Sequence, residues 1–135
     1  MSNQNPLSHV TAIVVDDEHD MASVFSEYLE LFDVKVFATG HNGKDAFDLY
    51  KKHEPDFVLM DLMMPDYDGY YGLSKIKKFD SDSKVIMITA DTSHDTTRKL
   101  AELGADQILY KPCDVNKLVQ SIRRLCQMRL EKIES

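Results

Sequence analysis

Basic residues are in short supply in this 135-residue chain: 16 Lys and Arg stand against 23 Asp and Glu, a net charge of −7. That balance argues against nucleic acid as a direct partner, because such binding is largely Lys and Arg set against phosphate. The local basic groups Lys75, Lys77, Lys78 and Arg123, Arg124, Arg129 are strung along helical stretches and read as solvated faces. Cysteine occurs only at Cys113 and Cys126. With no CxxC pair and no histidine at metal-ligand spacing, neither a disulfide framework nor a zinc site is expected. Cys126 falls on the apolar face of an expected helix, where a reduced thiol serves as a small hydrophobe. No apolar run approaches the ~20 residues that cross a bilayer, and the segment 1–10 is polar, unlike a signal peptide. A soluble, cytoplasmic protein without membrane insertion is expected. There is also no internal repeat, low-complexity tract or linker.

What is present is alternation. Hydrophobic residues make up 43% of the chain, enough for a packed interior and too many for a disordered one. Ala12-Ile13-Val14-Val15 is a first strand, stopped by Asp16-Asp17-Glu18. A helical stripe follows, with Met21, Val24, Phe25, Tyr28, Leu29 and Phe32 at spacings of three and four. Val34, Val36 and Ala38 alternate with Lys35, Phe37 and Thr39 as a weaker strand, and Gly40 and Gly43 precede a short helix carrying Ala46, Phe47 and Tyr50. Phe57-Val58-Leu59-Met60 ends at Asp61, and the turn residues Pro65, Asp66, Asp68 and Gly69 lead into a helix from about Tyr70 to Phe79. Val85-Ile86-Met87-Ile88 ends in Thr89, and the next helix runs to Leu103 and stops at Gly104. Ile108-Leu109-Tyr110 closes at Lys111-Pro112, before a last helix with Val115, Leu118, Val119, Ile122, Leu125 and Cys126 on one face.

Five strand–helix pairs without a hairpin signal imply right-handed crossovers, hence an α/β, doubly wound, five-stranded parallel sheet with helices on both faces. The first, third and fourth strands are unbroken apolar runs, as strands buried on both faces must be. The second alternates and the fifth is short, as edges would be, which favours the order 2-1-3-4-5. One domain is expected over 1–135, with a core of about 11–128 and no output module.

In such a sheet, ligands bind beyond the carboxyl ends of the strands, where the order reverses. That point lies between the first and third strands, from which Asp16, Asp17 and Asp61 emerge. Strands ~4.8 Å apart bring these carboxylates together, and like charges at 4 Å repel by roughly 4 kcal/mol at an effective dielectric of 20. The cluster therefore needs a cation or raised pKa values. An all-oxygen donor set suits Mg²⁺. Glu18, one residue on, reads as a helix N-cap only. Thr89 and Lys111 reach the same rim from the fourth and fifth strands, a hydroxyl donor and a mobile ammonium suited to phosphate. An aspartate among such groups can act as a nucleophile toward phosphoryl groups.

Asp16-Asp17, Asp61 with Met64-Pro65 and Gly69, Thr89-Ala90, and Lys111-Pro112 together resemble the receiver domain of two-component response regulators, over nearly the whole chain from about Ala12 to Cys126. The resemblance implies a flavodoxin-like, receiver-type fold and a signalling role rather than an enzyme, with at most self-phosphorylation and self-dephosphorylation. It implies that Asp61 is the phosphoacceptor and that Mg²⁺ is held by Asp17, Asp61 and the backbone carbonyl of Met63, with Asp16 acting largely through water. Lys111 would pair with the phosphoryl group, its bond to Pro112 would be cis, and Thr89 would turn toward the phosphoryl oxygens on activation. Met63 and Asp91 would flank the pocket entrance and influence how fast water removes the phosphoryl group, unless they are merely exposed loop side chains. The implied partners are a sensor histidine kinase or phosphotransfer protein and a downstream protein target. A homodimer through the face of the fourth helix, fifth strand and fifth helix is also implied. One departure stands out: where receivers often carry Tyr or Phe, three residues before the lysine, this chain has Ile108, with Tyr110 on the same strand face by alternation.

Three other readings compete. An aspartate-nucleophile phosphatase needs a DxD pair after the strand, but Leu62-Met63 follows Asp61. A flavin carrier shares the sheet order, but its phosphate loop would meet the repelling Asp16-Asp17-Glu18. A receiver serving as a constitutive scaffold sits poorly with a complete set of phosphorylation residues, though Ile108 leaves it room.

Overall fold

The computed structural model describes residues 9–134, with side chains as far as Leu125. The readings of Cys126 and Arg129 lie outside the described side chains. In chain order the elements are β1 (Thr11–Val15), α1 (His19–Leu31), β2 (Lys35–Gly40), α2 (Gly43–His53), β3 (Phe57–Asp61), α3 (Gly69–Phe79), β4 (Val85–Thr89), α4 (His94–Glu102), β5 (Gln107–Tyr110) and α5 (Val115–Glu134). The strands form one sheet in the order β2-β1-β3-β4-β5, and every neighbouring pair is parallel. This is the doubly wound sheet expected from the strand types.

The alternation of side chains along each inner strand divides the interior into two layers. Ala12 and Val14, Phe57 and Leu59, and Ile86 and Ile88 pack with Phe25 and Leu29 of α1 and Leu118 and Ile122 of α5. Their neighbours Ile13 and Val15, Val58 and Met60, and Val85 and Met87 pack with Ala46 of α2, Leu73 and Ile76 of α3 and Leu100 of α4. A strand covered on both faces has no polar position to spare, so β3 and β4 are buried at every residue. β2 alternates exposed and half-buried residues, as an edge strand with one covered face does.

The α1 stripe differs from the sequence expectation. Its buried residues are Ala22, Phe25, Ser26 and Leu29, whereas Val24 and Tyr28 are each 40% exposed. The two stand about 100° around the helix from Phe25 and Leu29, which puts them on the flank of the buried stripe. Ser26 is admitted to the interior because its hydroxyl donates to the carbonyl of Ala22 at 2.8 Å.

At the end of the sheet away from the strand C-termini, Lys77 donates to Asp106 at 2.8 Å and to the carbonyl of Ser83. The same Asp106 oxygen accepts the amide of Val85 at 2.8 Å. This brace ties α3 to the start of β4 and the approach to β5. Gly104 ends α4 with φ +97°, a backbone conformation that costs glycine little.

Candidate functional site

β1 and β3 lie side by side with Val15 opposite Met60, so the residues that follow leave the sheet together. The chain then turns outward in opposite directions, β1 toward β2 and β3 toward β4, opening a crevice at the reversal. Asp16, Asp17 and Asp61 meet there, each offering a carboxylate oxygen within 4.8 Å of the others.

Asp16 is 1% exposed and closely held. Its amide donates to the carbonyl of Gly40 at 3.0 Å, and its Oδ1 accepts the amide of Glu18 at 2.9 Å. Its Oδ2 is buried without a hydrogen-bond partner, although the Lys111 ammonium stands 3.6 Å away as an ion pair. The same ammonium lies 3.4 Å from Oδ2 of Asp61. Lys111 reaches this point because its amide donates to the carbonyl of Thr89 at 2.9 Å, continuing the β4–β5 ladder one residue past β5. The Lys111–Pro112 bond is cis.

Burial pushes the Asp61 carboxyl above its ordinary range; Lys111 opposes that shift, and the neighbouring Asp16 charge adds to it. For Lys111, burial alone would pull the ammonium down, but the carboxylates of Asp61 and Asp16 outweigh it and hold the group above its usual value. The Lys111 ammonium thus pairs with two of the three carboxylates. The donor set fits a hard divalent cation such as Mg²⁺: all-oxygen, at a switch-point crevice, with one buried carboxylate oxygen lacking a hydrogen bond.

Thr89 ends β4 fully buried, and its hydroxyl oxygen accepts the amide of Asp91 at 3.0 Å. The Met63 side chain is 68% exposed. Asp91 does not stand free: its carboxylate accepts the Thr96 hydroxyl at 2.6 Å and the Ser93 amide at 2.9 Å, at the N-terminus of α4. Those bonds hold its carboxyl below the usual range. Glu18 occupies the N-cap position of α1 as expected, its carbonyl accepting the amide of Ala22 at 3.0 Å, but its side chain makes no cap hydrogen bond. Its own backbone amide donates to Asp16. Ile108 packs into the layer beneath α2, α3 and α4, while the Tyr110 hydroxyl lies 2.9 Å from that of Thr97 on α4. The Cys113 thiol is free, and burial pushes its pKa up, as for an inert thiol.

One contact had no signal in the sequence. His41 Nδ1 lies 3.0 Å from the carbonyl oxygen of Asp16, across 25 positions of chain. Gly69, by contrast, was legible as turn chemistry, and its amide donates to the carbonyl of Leu62 at 2.8 Å, starting α3 close against the end of β3.

Comparison with known proteins adds the family. Residues 12–123 match the family model described as response regulator receiver domain. A chemotaxis protein CheY of Halobacterium salinarum is 33% identical over 110 residues, 82% of this chain and 91% of that protein. Protein CcdB of Bacillus subtilis is 36% identical over 113 residues, 84% of this chain and 94% of the relative. Among solved structures, a CheX–CheY–BeF3–Mg complex from Borrelia burgdorferi superposes with a TM-score of 0.82 at 28% identity, covering 86% of this chain and 88% of that one. A CheY-like receiver from Methanospirillum hungatei shares the fold at a TM-score of 0.86 and 22% identity, covering 93% and 99% of the two chains. With the strand order, the acidic crevice and the lysine already in place, the chain belongs to the response regulator receiver domain family.

Proposed function

We propose that this receiver is a phosphoacceptor switch. Asp61 takes a phosphoryl group from a sensor histidine kinase or phosphotransfer protein, while Asp16, Asp17, Asp61 and the backbone carbonyl of Met63 hold Mg²⁺. The observation that carries the reading is the single ammonium of Lys111, 3.6 Å from Asp16 and 3.4 Å from Asp61, in a crevice holding three carboxylates. Such an arrangement has an excess of negative oxygen toward a cation and a positive group beside the nucleophile.

A carboxylate oxygen of Asp61 attacks phosphorus, and the bond from phosphorus to the donor imidazole nitrogen breaks. The electron pair stays on that nitrogen, and an acyl phosphate forms on Asp61. Lys111 exchanges its carboxylate contacts for the arriving phosphoryl oxygens, as a flexible point charge can. The Thr89 hydroxyl accepts one hydrogen bond from Asp91 and keeps its own hydrogen to donate to the phosphoryl group. Bound Mg²⁺ supplies charge neutralisation and alignment of the phosphoryl oxygens. Later attack of water on phosphorus returns the carboxylate and releases inorganic phosphate.

The phosphoryl group shifts the domain only by the difference in its interactions with two conformations. Moving the balance from 1:99 to 99:1 takes about 5.5 kcal/mol. The face of α4, β5 and α5 is where a downstream protein or a second copy would sense that shift. The test is labelling with acetyl phosphate and Mg²⁺: Asp61→Asn abolishes the acid-labile product. Label persisting at an acid-stable site in that variant refutes the assignment.

A further inference from the structure

His41 precedes the cap of α2 and His19 begins α1, yet their rings meet, with centroids 3.7 Å apart and planes inclined by 30°. Nδ1 of His41 lies 3.0 Å from the carbonyl oxygen of Asp16. A carbonyl oxygen only accepts, so Nδ1 carries the proton, in the neutral ring as in the charged one. The backbone of His41 is itself fixed. Its amide donates to Asp45 Oδ2 at 2.9 Å, and the Asp45 amide donates to Asn42 Oδ1 at 2.8 Å, the cap of α2. The first turn of α2 therefore reaches Asp16 through one side chain.

At Asp16 the amide, the carbonyl and Oδ1 are each engaged, by Gly40, His41 and Glu18 in turn. Oδ2 alone lacks a hydrogen bond, and it is also the oxygen facing the Lys111 ammonium. Three tethers leave the residue little freedom except to present that oxygen. Two of them come from its own turn or from the neighbouring strand, as any such turn would supply. The third needs a donor-bearing side chain of the right length on the next loop, and the His19 ring restrains that side chain from the α1 side.

We propose that His41 is a positioning residue for the acidic crevice. Its Nδ1–H, steadied by the His19 ring, fixes the peptide of Asp16 so that the free carboxylate oxygen is already in place when a divalent cation arrives. The proposal rests on the cation-binding reading given above. It separates from a purely structural role for His41, which would support the fold while leaving cation affinity alone.

Calorimetric titration with Mg²⁺, without any phosphodonor, decides the matter. His41→Leu keeps bulk and removes the donor, and its Mg²⁺ dissociation constant rises by about 10-fold, at the lower end of the ~10–100-fold losses seen when outer partners of metal ligands are removed. His41→Asn, whose amide offers an N–H near the place of Nδ1, regains most of the affinity. His19→Ala weakens binding by about threefold, since it removes the ring contact and leaves the hydrogen bond. The Mg²⁺ concentration for half-maximal acetyl phosphate labelling moves in step with these constants, while labelling at saturating Mg²⁺ changes less. A folded His41→Leu that binds Mg²⁺ as the wild type does overturns the proposal alone. Wild-type protein that binds no Mg²⁺ overturns the functional reading and this proposal together. Should His41→Leu fail to fold, His19→Ala decides on an exposed residue, and unchanged affinity there is the overturning result.

Discussion

A methyl group built on Gly69 would lie 2.6 Å from the carbonyl oxygen of Asp61 and 2.7 Å from Cα of Leu62. Both are backbone atoms, so no side chain can swing aside to make room. Gly69→Ala therefore has to move the start of α3 or the strand end that carries Asp61. An overpacking cost of about 1–3 kcal/mol is expected, seen as a lower urea midpoint in equilibrium unfolding. A midpoint equal to wild type would mean the loop yields freely. Most of the site was legible residue by residue: Asp16, Asp17, Asp61, Thr89 and Lys111 each follow an apolar run, and strand ends converge. The orientation of individual groups was not legible. Nothing in the local sequence tells that Glu18 offers its amide rather than its carboxylate, or that His41 reaches across to Asp16, because both facts depend on loops meeting in space.

The β4–α4 connection is a relay of short polar contacts. Thr89 accepts the Asp91 amide, Asp91 accepts Ser93 and Thr96, and at the next residue of α4 Thr97 meets Tyr110 of β5. The sequence suggested Asp91 at the pocket entrance, or else as a mere loop side chain; the structure ties its carboxylate to Ser93 and Thr96 at the α4 N-terminus, where it also suits the helix dipole. Because its folded pKa is depressed, its contribution to stability is present above the ordinary carboxylate pKa and is lost as pH falls through the lower folded value. Thermal unfolding of Asp91→Asn should therefore show a shallower loss of stability on acidification below about pH 4 than the wild type. An equally steep acid limb would assign the effect to other carboxylates. α1 shows the opposite case, an element whose existence was plain and whose buried side was misjudged. Val24 and Tyr28 share the spacing of the core stripe but sit beside it, and periodicity alone does not rank neighbouring faces.

For the molecule as a whole, the order of the sheet was readable because burial on two faces, on one, or at an edge leaves different patterns in β3, β2 and β5. Which helix covers which layer was settled only by the fold itself. Folding gathers three carboxylates in one crevice, two of them paired with the Lys111 ammonium, a concentration of charge the unfolded chain does not have. A cation that binds there binds the folded state alone, and stability should rise with its concentration. At 100 times the dissociation constant the gain is about 2.7 kcal/mol. A melting temperature that climbs with Mg²⁺ in wild-type protein, and much less in Asp17→Asn, is the expected result. A temperature unmoved by chelator and by millimolar Mg²⁺ alike would remove the cation from the account.

The two-layer interior also works as a ruler. Odd positions of β3 face one layer and even positions the other, with Asp61 next in the odd series after Phe57 and Leu59. Insert one amino acid anywhere between Pro55 and Met60, and the count slips: every downstream side chain changes layer, and the aspartate swings to the wrong side of its own strand. Insert two, and the parity is restored but the acid overshoots its neighbours by about 6.6 Å. The distance from the turn to Asp61 is thus counted out by the packing, one side chain at a time.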